Sequence, residues 1–203
     1  MDALIMAGGE GKRMGNGVLK PLVPFRGRPM IEWVIDAASS CVYVESVFVA
    51  LTPKTAWIKE SLAIETIETS GAGYVEDVVF AMQSIGLEKT LVLSADLPFV
   101  TSSDLAWVVE EYERLGTPAL AVYVPASLYK ELGLEPSTET DGLVPTGVNI
   151  VDGRDINGEE SRLVTVNPSF AFNINTPLDL KIALDYTLSV ISPSRAQGKG
   201  LET

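Results

Sequence analysis

The chain has 203 residues, a formal net charge of −12, no histidine and a single cysteine. A 46% hydrophobic content at this length describes one globular core rather than a disordered chain. The missing histidines exclude Ser-His triads and histidine metal sites, the lone Cys41 excludes an internal disulfide or a cysteine zinc cluster, and the acidity argues against nucleic acid as a partner.

Apolar runs alternate with helical patterns along the chain. In order, the expected elements are a strand at 3–7, a helix at 29–39, a strand at 46–51, a helix at 54–62 and a strand at 64–68. A helix at 74–85, a strand at 90–95, a helix at 103–115, strands at 119–124 and 148–151, and a helix at 177–188 follow. Pro29 suits a first helical turn, residues 101–104 offer N-caps and Gly116 offers a stop. Thr176-Pro177-Leu178-Asp179 orders a cap, a proline and an acid as a near capping box. Repeated βα order predicts an α/β fold, a mainly parallel mixed sheet covered by helices on both faces. One domain is expected over 1–190, with a mobile tail over 191–203. Residues 152–162 read as a polar surface loop or hairpin. No apolar run reaches the ~18 residues of a membrane helix, and the first residues lead straight into a strand without a signal-peptide pattern. A cytoplasmic protein is expected.

The first strand runs into Ala7-Gly8-Gly9-Glu10-Gly11-Lys12-Arg13. Glycines allow a tight turn with exposed backbone N–H groups, and adjacent cations complete a phosphate cradle. It is neither a Walker A loop, since Arg13 follows Lys12, nor a dinucleotide fingerprint, since Met14 replaces the third glycine. Residues 1–28 hold Lys12, Arg13, Lys20, Arg26 and Arg28 against Asp2 and Glu10, a local balance of +3. That is a polyanion site in an acidic chain. A phosphate nucleophile is mostly ionised at neutral pH, so nucleotidyl transfer to a phosphate suits a chain without histidine.

Four further constellations carry chemistry. The strand at 90–95 ends in Asp96, at the carboxyl edge where open α/β sheets bind ligands. A carboxylate there is a natural Mg²⁺ ligand, or a cap for the turn before Pro98. Thr69-Ser70-Gly71-Ala72-Gly73-Tyr74-Val75-Glu76-Asp77 opens on the same edge. Its glycines admit a flat base, and Glu76 or Asp77 can accept from guanine N1–H and the 2-amino group, or else complement a helix dipole. Asp141-Gly142-Leu143-Val144-Pro145-Thr146-Gly147-Val148-Asn149 is a shaped loop before a strand. Asn173 and Asn175 alternate with apolar residues on an expected strand and so share a face. They suit a metal-bound water or a phosphate oxygen, or satisfy backbone groups at the strand end.

Leu-Ile-Met-Ala-Gly-Gly-x-Gly-x-Arg-Met followed by Lys20-Pro21-Leu22 resembles the signature of nucleotidyltransferases with a Rossmann-like, glycosyltransferase A type fold. With the motifs at 69–77, 141–149 and 172–181, residues 1–187 resemble the archaeal-type GTP:adenosylcobinamide-phosphate guanylyltransferases, relatives of the molybdenum-cofactor guanylyltransferases. The resemblance implies transfer of GMP from GTP to adenosylcobinamide phosphate, with Mg²⁺ as cofactor, and it allows a homodimer. It implies nucleotide binding by Ala7, Gly8, Gly9, Glu10, Gly11, Lys12, Arg13, Lys20, Thr69, Ser70, Gly71, Gly73 and Asp77. It implies catalytic roles for Arg13, Lys20 and Asp96, the last also holding metal. Gly142, Pro145, Gly147, Asn149, Asn173 and Asn175 would form the acceptor side. Another guanylyltransferase, such as one acting on molybdopterin, and a non-catalytic nucleotide sensor are the alternatives.

Overall fold

The computed structural model describes residues 1–9, 11–15 and 19–191. Glu10 and the tail 192–203 lie outside the described residues, as does the side chain of Lys12.

Strand β1 (Asp2–Met6) forms because Ala3, Leu4 and Ile5 are buried completely between neighbours on both sides. It pairs in parallel with β4 (Val47–Leu51) and with β6 (Lys89–Ser94), Ala3 standing opposite Val47 and Leu91. Strand β5 (Glu65–Glu68) adds in parallel to β4. Beyond β6 come β8 (Leu143–Asp152), β7 (Ala119–Pro125) and β9 (Glu160–Val164), giving a seven-stranded order β5-β4-β1-β6-β8-β7-β9. Only β8 runs against its neighbours β6 and β7; β9 is parallel to β7. The chain steps outward from β1 through β4 to β5, then returns to the other side of β1 as β6. That reversal leaves a crevice at the carboxyl ends of β1 and β6, where such sheets bind ligands. A two-strand hairpin, β2 (Pro24–Phe25) and β3 (Arg28–Pro29), follows the first loop.

Helices α1 (Met30–Ser39), α3 (Ser102–Leu115), α4 (Ala126–Leu132) and α5 (Pro177–Ile191) all contribute to the larger core on one sheet face. Helix α2 (Tyr74–Ile85) packs on the other face, where Val78, Ala81 and Met82 meet Leu4, Ala50, Ile67 and Val92. Helices therefore lie on both faces, but α2 covers only the half of its face near β1 and β4. The caps follow local chemistry. Thr101 and Asp104 form a reciprocal capping box on α3, and Gly116 ends it in the left-handed conformation. Thr176 and Asp179 exchange bonds at the start of α5, where Asp179 Oδ2 also accepts from Asn175 N.

Several expectations change. The helix expected at 54–62 is a 3-10 segment, Ala56–Ser61. The expected loop at 141–149 is mostly the first half of β8. Asp141 and Gly142 turn through positive φ, and pairing starts at once with Leu143. The stretch 152–162 is not all loop, because β9 begins at Glu160. Asn173 and Asn175 lie on irregular chain between a 3-10 turn (Pro168–Phe170) and α5, not on a strand.

Candidate active site

The crevice, about 420 Å³, is large enough for a small ligand. Gly8, Gly9 and Lys20 line it from the loop after β1. Ser70, Gly71, Gly73 and Asp77 line it from the segment before and into α2, and Asp96 from the end of β6. Gly8 has a packing reason to lack a side chain: a Cβ there would stand 2.4 Å from Thr52 Cγ2. The adjacent Gly9 is open, its nearest such contact being Lys20 Cδ at 3.8 Å. Asp77 is buried and its Oδ1 accepts from Gly71 N (3.0 Å), which braces the glycine turn. Glu76, the other candidate acid, is exposed.

At the mouth of the crevice four side chains converge. Lys20 Nζ forms an ion pair with Asp96 Oδ2 and donates to Asn175 Oδ1 (2.6 Å). Arg13 donates to the same Asn175 oxygen (3.1 Å) and to Ser137 Oγ (3.1 Å). Asn175 in turn donates through Nδ2 to Asn173 Oδ1 (2.7 Å). The irregular segment thus brings both asparagines to the cluster without a strand, anchored by Ile174 N donating to Asp96 O (3.1 Å). The Lys20 and Asp96 side chains are only 15% and 11% exposed. Holding two charges this far from water costs desolvation energy, so their retention calls for a role.

Asp96 also bears on the metal question. Its Oδ1 is buried with no hydrogen-bond partner among the described residues, a state that costs about 1–3 kcal/mol or more. No His, Cys, Asp or Glu trio converges among the described residues, so no all-protein metal cage exists there. Mg²⁺ is commonly held by one or two carboxylates, with substrate phosphates and water completing its shell. The orphaned Asp96 carboxylate oxygen fits that pattern.

Some expected residues do other work. Ala7 is buried and its N–H donates to Ala50 O (2.9 Å), which zips β1 to β4 and leaves no donor for phosphate. Thr69 is buried, and its hydroxyl donates to Leu51 O (3.1 Å), closing the end of β4 rather than reading a base. Gly11 adopts φ 64° and starts the 3-10 turn that carries Lys12 and Arg13. Gly142 forms the turn into β8. Gly147, at φ 83°, lets β8 pass Ser94, whose Oγ lies 2.5 Å from where a Cβ would stand. The register there shifts between Ala121 and Tyr123, and the buried Thr146 hydroxyl donates to Val122 O (3.0 Å) and accepts from Val148 N (3.2 Å). Pro145 is exposed and Asn149 half-buried on the sheet face that α2 leaves open.

Other crevice residues were not expected: Thr52, Pro53 and Lys54 after β4, Tyr74 at the start of α2, and Ser94. The first three follow a strand that ends on the binding edge, so the strand-end rule could have found them. Nearly half of Tyr74 is exposed, yet its hydroxyl end sits among Asn149, Ser94 and Asp96. Burial of that end, with a further push from the Asp96 charge, moves its pKa up to about 12.

Comparison with known proteins agrees with this architecture. Residues 3–132 match the family model described as MobA-like NTP transferase domain. The chain is 38% identical to the adenosylcobinamide-phosphate guanylyltransferase of Methanocaldococcus jannaschii, over 90% of this chain and 95% of that protein. It is 26% identical to the bifunctional protein GlmU of Oenococcus oeni, over 82% of this chain but 38% of that longer protein. The crystal structure of molybdopterin-guanine dinucleotide biosynthesis protein A from Archaeoglobus fulgidus superposes with a TM-score of 0.68 at 19% identity, covering 93% of this chain and all of that one. At that identity the likeness shows the fold. With well over half of its length in the family model and a nearly full-length relative above 30% identity, the chain belongs to the MobA-like NTP transferase family, alongside the adenosylcobinamide-phosphate guanylyltransferase of Methanocaldococcus jannaschii.

Proposed function

We propose that this chain transfers GMP from GTP to the phosphate of adenosylcobinamide phosphate, releasing pyrophosphate and forming adenosylcobinamide-GDP. The carrying observation is the Lys20–Asp96–Asn175–Arg13 cluster at the mouth of the crevice, in a chain 38% identical over nearly full length to an adenosylcobinamide-phosphate guanylyltransferase.

The acceptor phosphate oxygen attacks the α-phosphorus of GTP, a P–O bond forms, and the bond to the β-phosphate oxygen breaks. The nucleophile is largely ionised at neutral pH, which explains how a chain without histidine performs the step. Backbone N–H groups of the Gly8–Gly9 turn approach the phosphates, and Arg13 and Lys20 stabilise charge on the departing pyrophosphate. Asn175 holds both cations on one carbonyl oxygen, which fixes their spacing before substrate arrives. Mg²⁺, held by Asp96, would neutralise charge on the phosphate oxygens. Cys41 is a buried free thiol, in keeping with a cytoplasmic setting, and no described helix is long and apolar enough to cross a membrane.

The base faces Asp77, the buried acid of the crevice wall. A carboxylate accepts from guanine N1–H and the 2-amino group, whereas adenine offers an acceptor at N1. GTP is therefore expected to bind at least about 100-fold more tightly than ATP in calorimetry, since a site left with unpaired polar groups rejects an analogue strongly. Comparable affinities would remove guanine recognition from the proposal.

A further inference from the structure

Tyr74 stands at the seam between two halves of the molecule. It lines the nucleotide crevice together with Gly8, Lys20 and Asp96, and it begins α2. Its hydroxyl oxygen accepts from Asn149 Nδ2 (3.4 Å), a side chain of β8 in the other half of the sheet. Ser94, at the end of β6, lies near that hydroxyl, and the Asp96 charge acts on it. Beyond Asn149 the sheet face is uncovered. Strand register places Ala121, Asn149 and Arg162 side by side across β7, β8 and β9, and Tyr123 beside Pro145 and Val164. Arg162 lies over the Tyr123 ring (5.5 Å to its centre), and Val164 is exposed. The crevice therefore opens past Tyr74 onto a broad surface with a mixed apolar and polar floor.

We propose that Tyr74 is an acceptor-binding residue, whose phenol, held by Asn149, donates a hydrogen bond to the phosphate of the incoming acceptor beside Asp96. The inference rests on the guanylyl-transfer reading. Asn149 supplies a donor to the phenol oxygen, so that bond leaves the phenol hydrogen available to a ligand. A phenol ordinarily ionises only at about pH 10, so it keeps that hydrogen at neutral pH. The nucleotide side is an unsuitable target for it. The phosphate loop, Lys20 and the base-facing loop reach the nucleotide from β1 and β5, whereas the Tyr74 hydroxyl is turned towards β8.

The test uses the full chain with Tyr74→Phe and, separately, Asn149→Ala. GTP affinity is read by calorimetry, acceptor kinetics by pyrophosphate release with adenosylcobinamide phosphate, and folding by thermal unfolding. For Tyr74→Phe, GTP affinity is expected to hold within about twofold while kcat/KM for the acceptor falls about 10- to 100-fold, the loss for a hydrogen bond to a charged group. Asn149→Ala should move the same parameter in the same direction by less, because the phenol loses only its support. Unchanged acceptor kinetics in Tyr74→Phe would reduce the pair to a structural latch and overturn the proposal. A matching loss of GTP affinity would overturn it too, by placing Tyr74 on the nucleotide. The wild-type arm separates the two readings. If the wild type ignores adenosylcobinamide phosphate yet accepts molybdopterin or a sugar phosphate, the substrate assignment fails, and the Tyr74 comparison is made with the accepted phosphate. A wild type that accepts none overturns both.

Discussion

Asp96→Asn is expected to lower kcat by about two to three orders of magnitude, the usual cost of removing a group that stabilises transition-state charge. GTP affinity should fall much less, because in the proposed mode the Gly8–Gly9 turn, Arg13 and Lys20 would still meet the phosphates. The competing role, a cap for the turn before Pro98, finds no support in the geometry. The carboxylate pairs with Lys20 through Oδ2 and leaves Oδ1 without a partner among the described residues. A cap would accept through its carboxylate from a backbone N–H just downstream; the backbone N–H that Asp96 does accept from, at its carbonyl, is that of the distant Ile174. Turnover and thermal unfolding should be measured on one preparation. A destabilised variant with unchanged kcat per folded molecule would contradict the role.

Lys20→Met should be costly in two separable ways. Turnover should fall by about two orders of magnitude through loss of a phosphate cation. Stability should also fall, by up to about 3–5 kcal/mol, because a nearly buried Asp96 carboxylate is left without its partner. The double variant Lys20→Met/Asp96→Asn distinguishes the two. With both charges removed, much of the stability should return while turnover stays lost, giving a large non-additive term between residues in direct contact. Chemical denaturation of the four proteins of the cycle reads the first quantity and pyrophosphate release the second. A double variant no more stable than Lys20→Met alone would show that the pair is not the source of the instability.

Much of the architecture was legible because the elements that carry it announce themselves locally. The continuous apolar run around Leu4 and Ile5 has only one stable place, the centre of a parallel sheet, and there both are fully buried. Thr101, Asp104 and Gly116 bracket α3 with capping chemistry that acts within a few residues. Elements whose stability comes from distant partners were hidden. Strand β9 opens with Glu160-Ser161-Arg162, polar residues that suit a sheet edge but read as loop without β7 beside them. In β8, Pro145 and Gly147 look like turn residues. The proline is exposed on an open face, and the glycine is required by contact with Ser94 on another strand. Helix α4 spans only seven residues and follows directly on β7, too short for a helical period to show.

The candidate site divides in the same way. Lys20 and Asp96 stand out as a cation after a glycine loop and an acid at a strand end, and the fold brings them into contact. Thr69 enters the site only through the resemblance; its burial and its bond to Leu51 O depend on where β4 ends. Tyr74 went unremarked as a chemical group because nothing in its neighbourhood in the chain reveals Asn149, 75 residues away.

The central claim is tested most directly by mixing the wild-type protein with GTP and Mg²⁺ and measuring pyrophosphate with each of three acceptors. These are adenosylcobinamide phosphate, molybdopterin and a sugar phosphate, with the nucleotide product identified by mass. Release with adenosylcobinamide phosphate alone, together with adenosylcobinamide-GDP as product, is the expected result. Release with molybdopterin or the sugar phosphate instead, or tight GTP binding with no turnover on any acceptor, would contradict it.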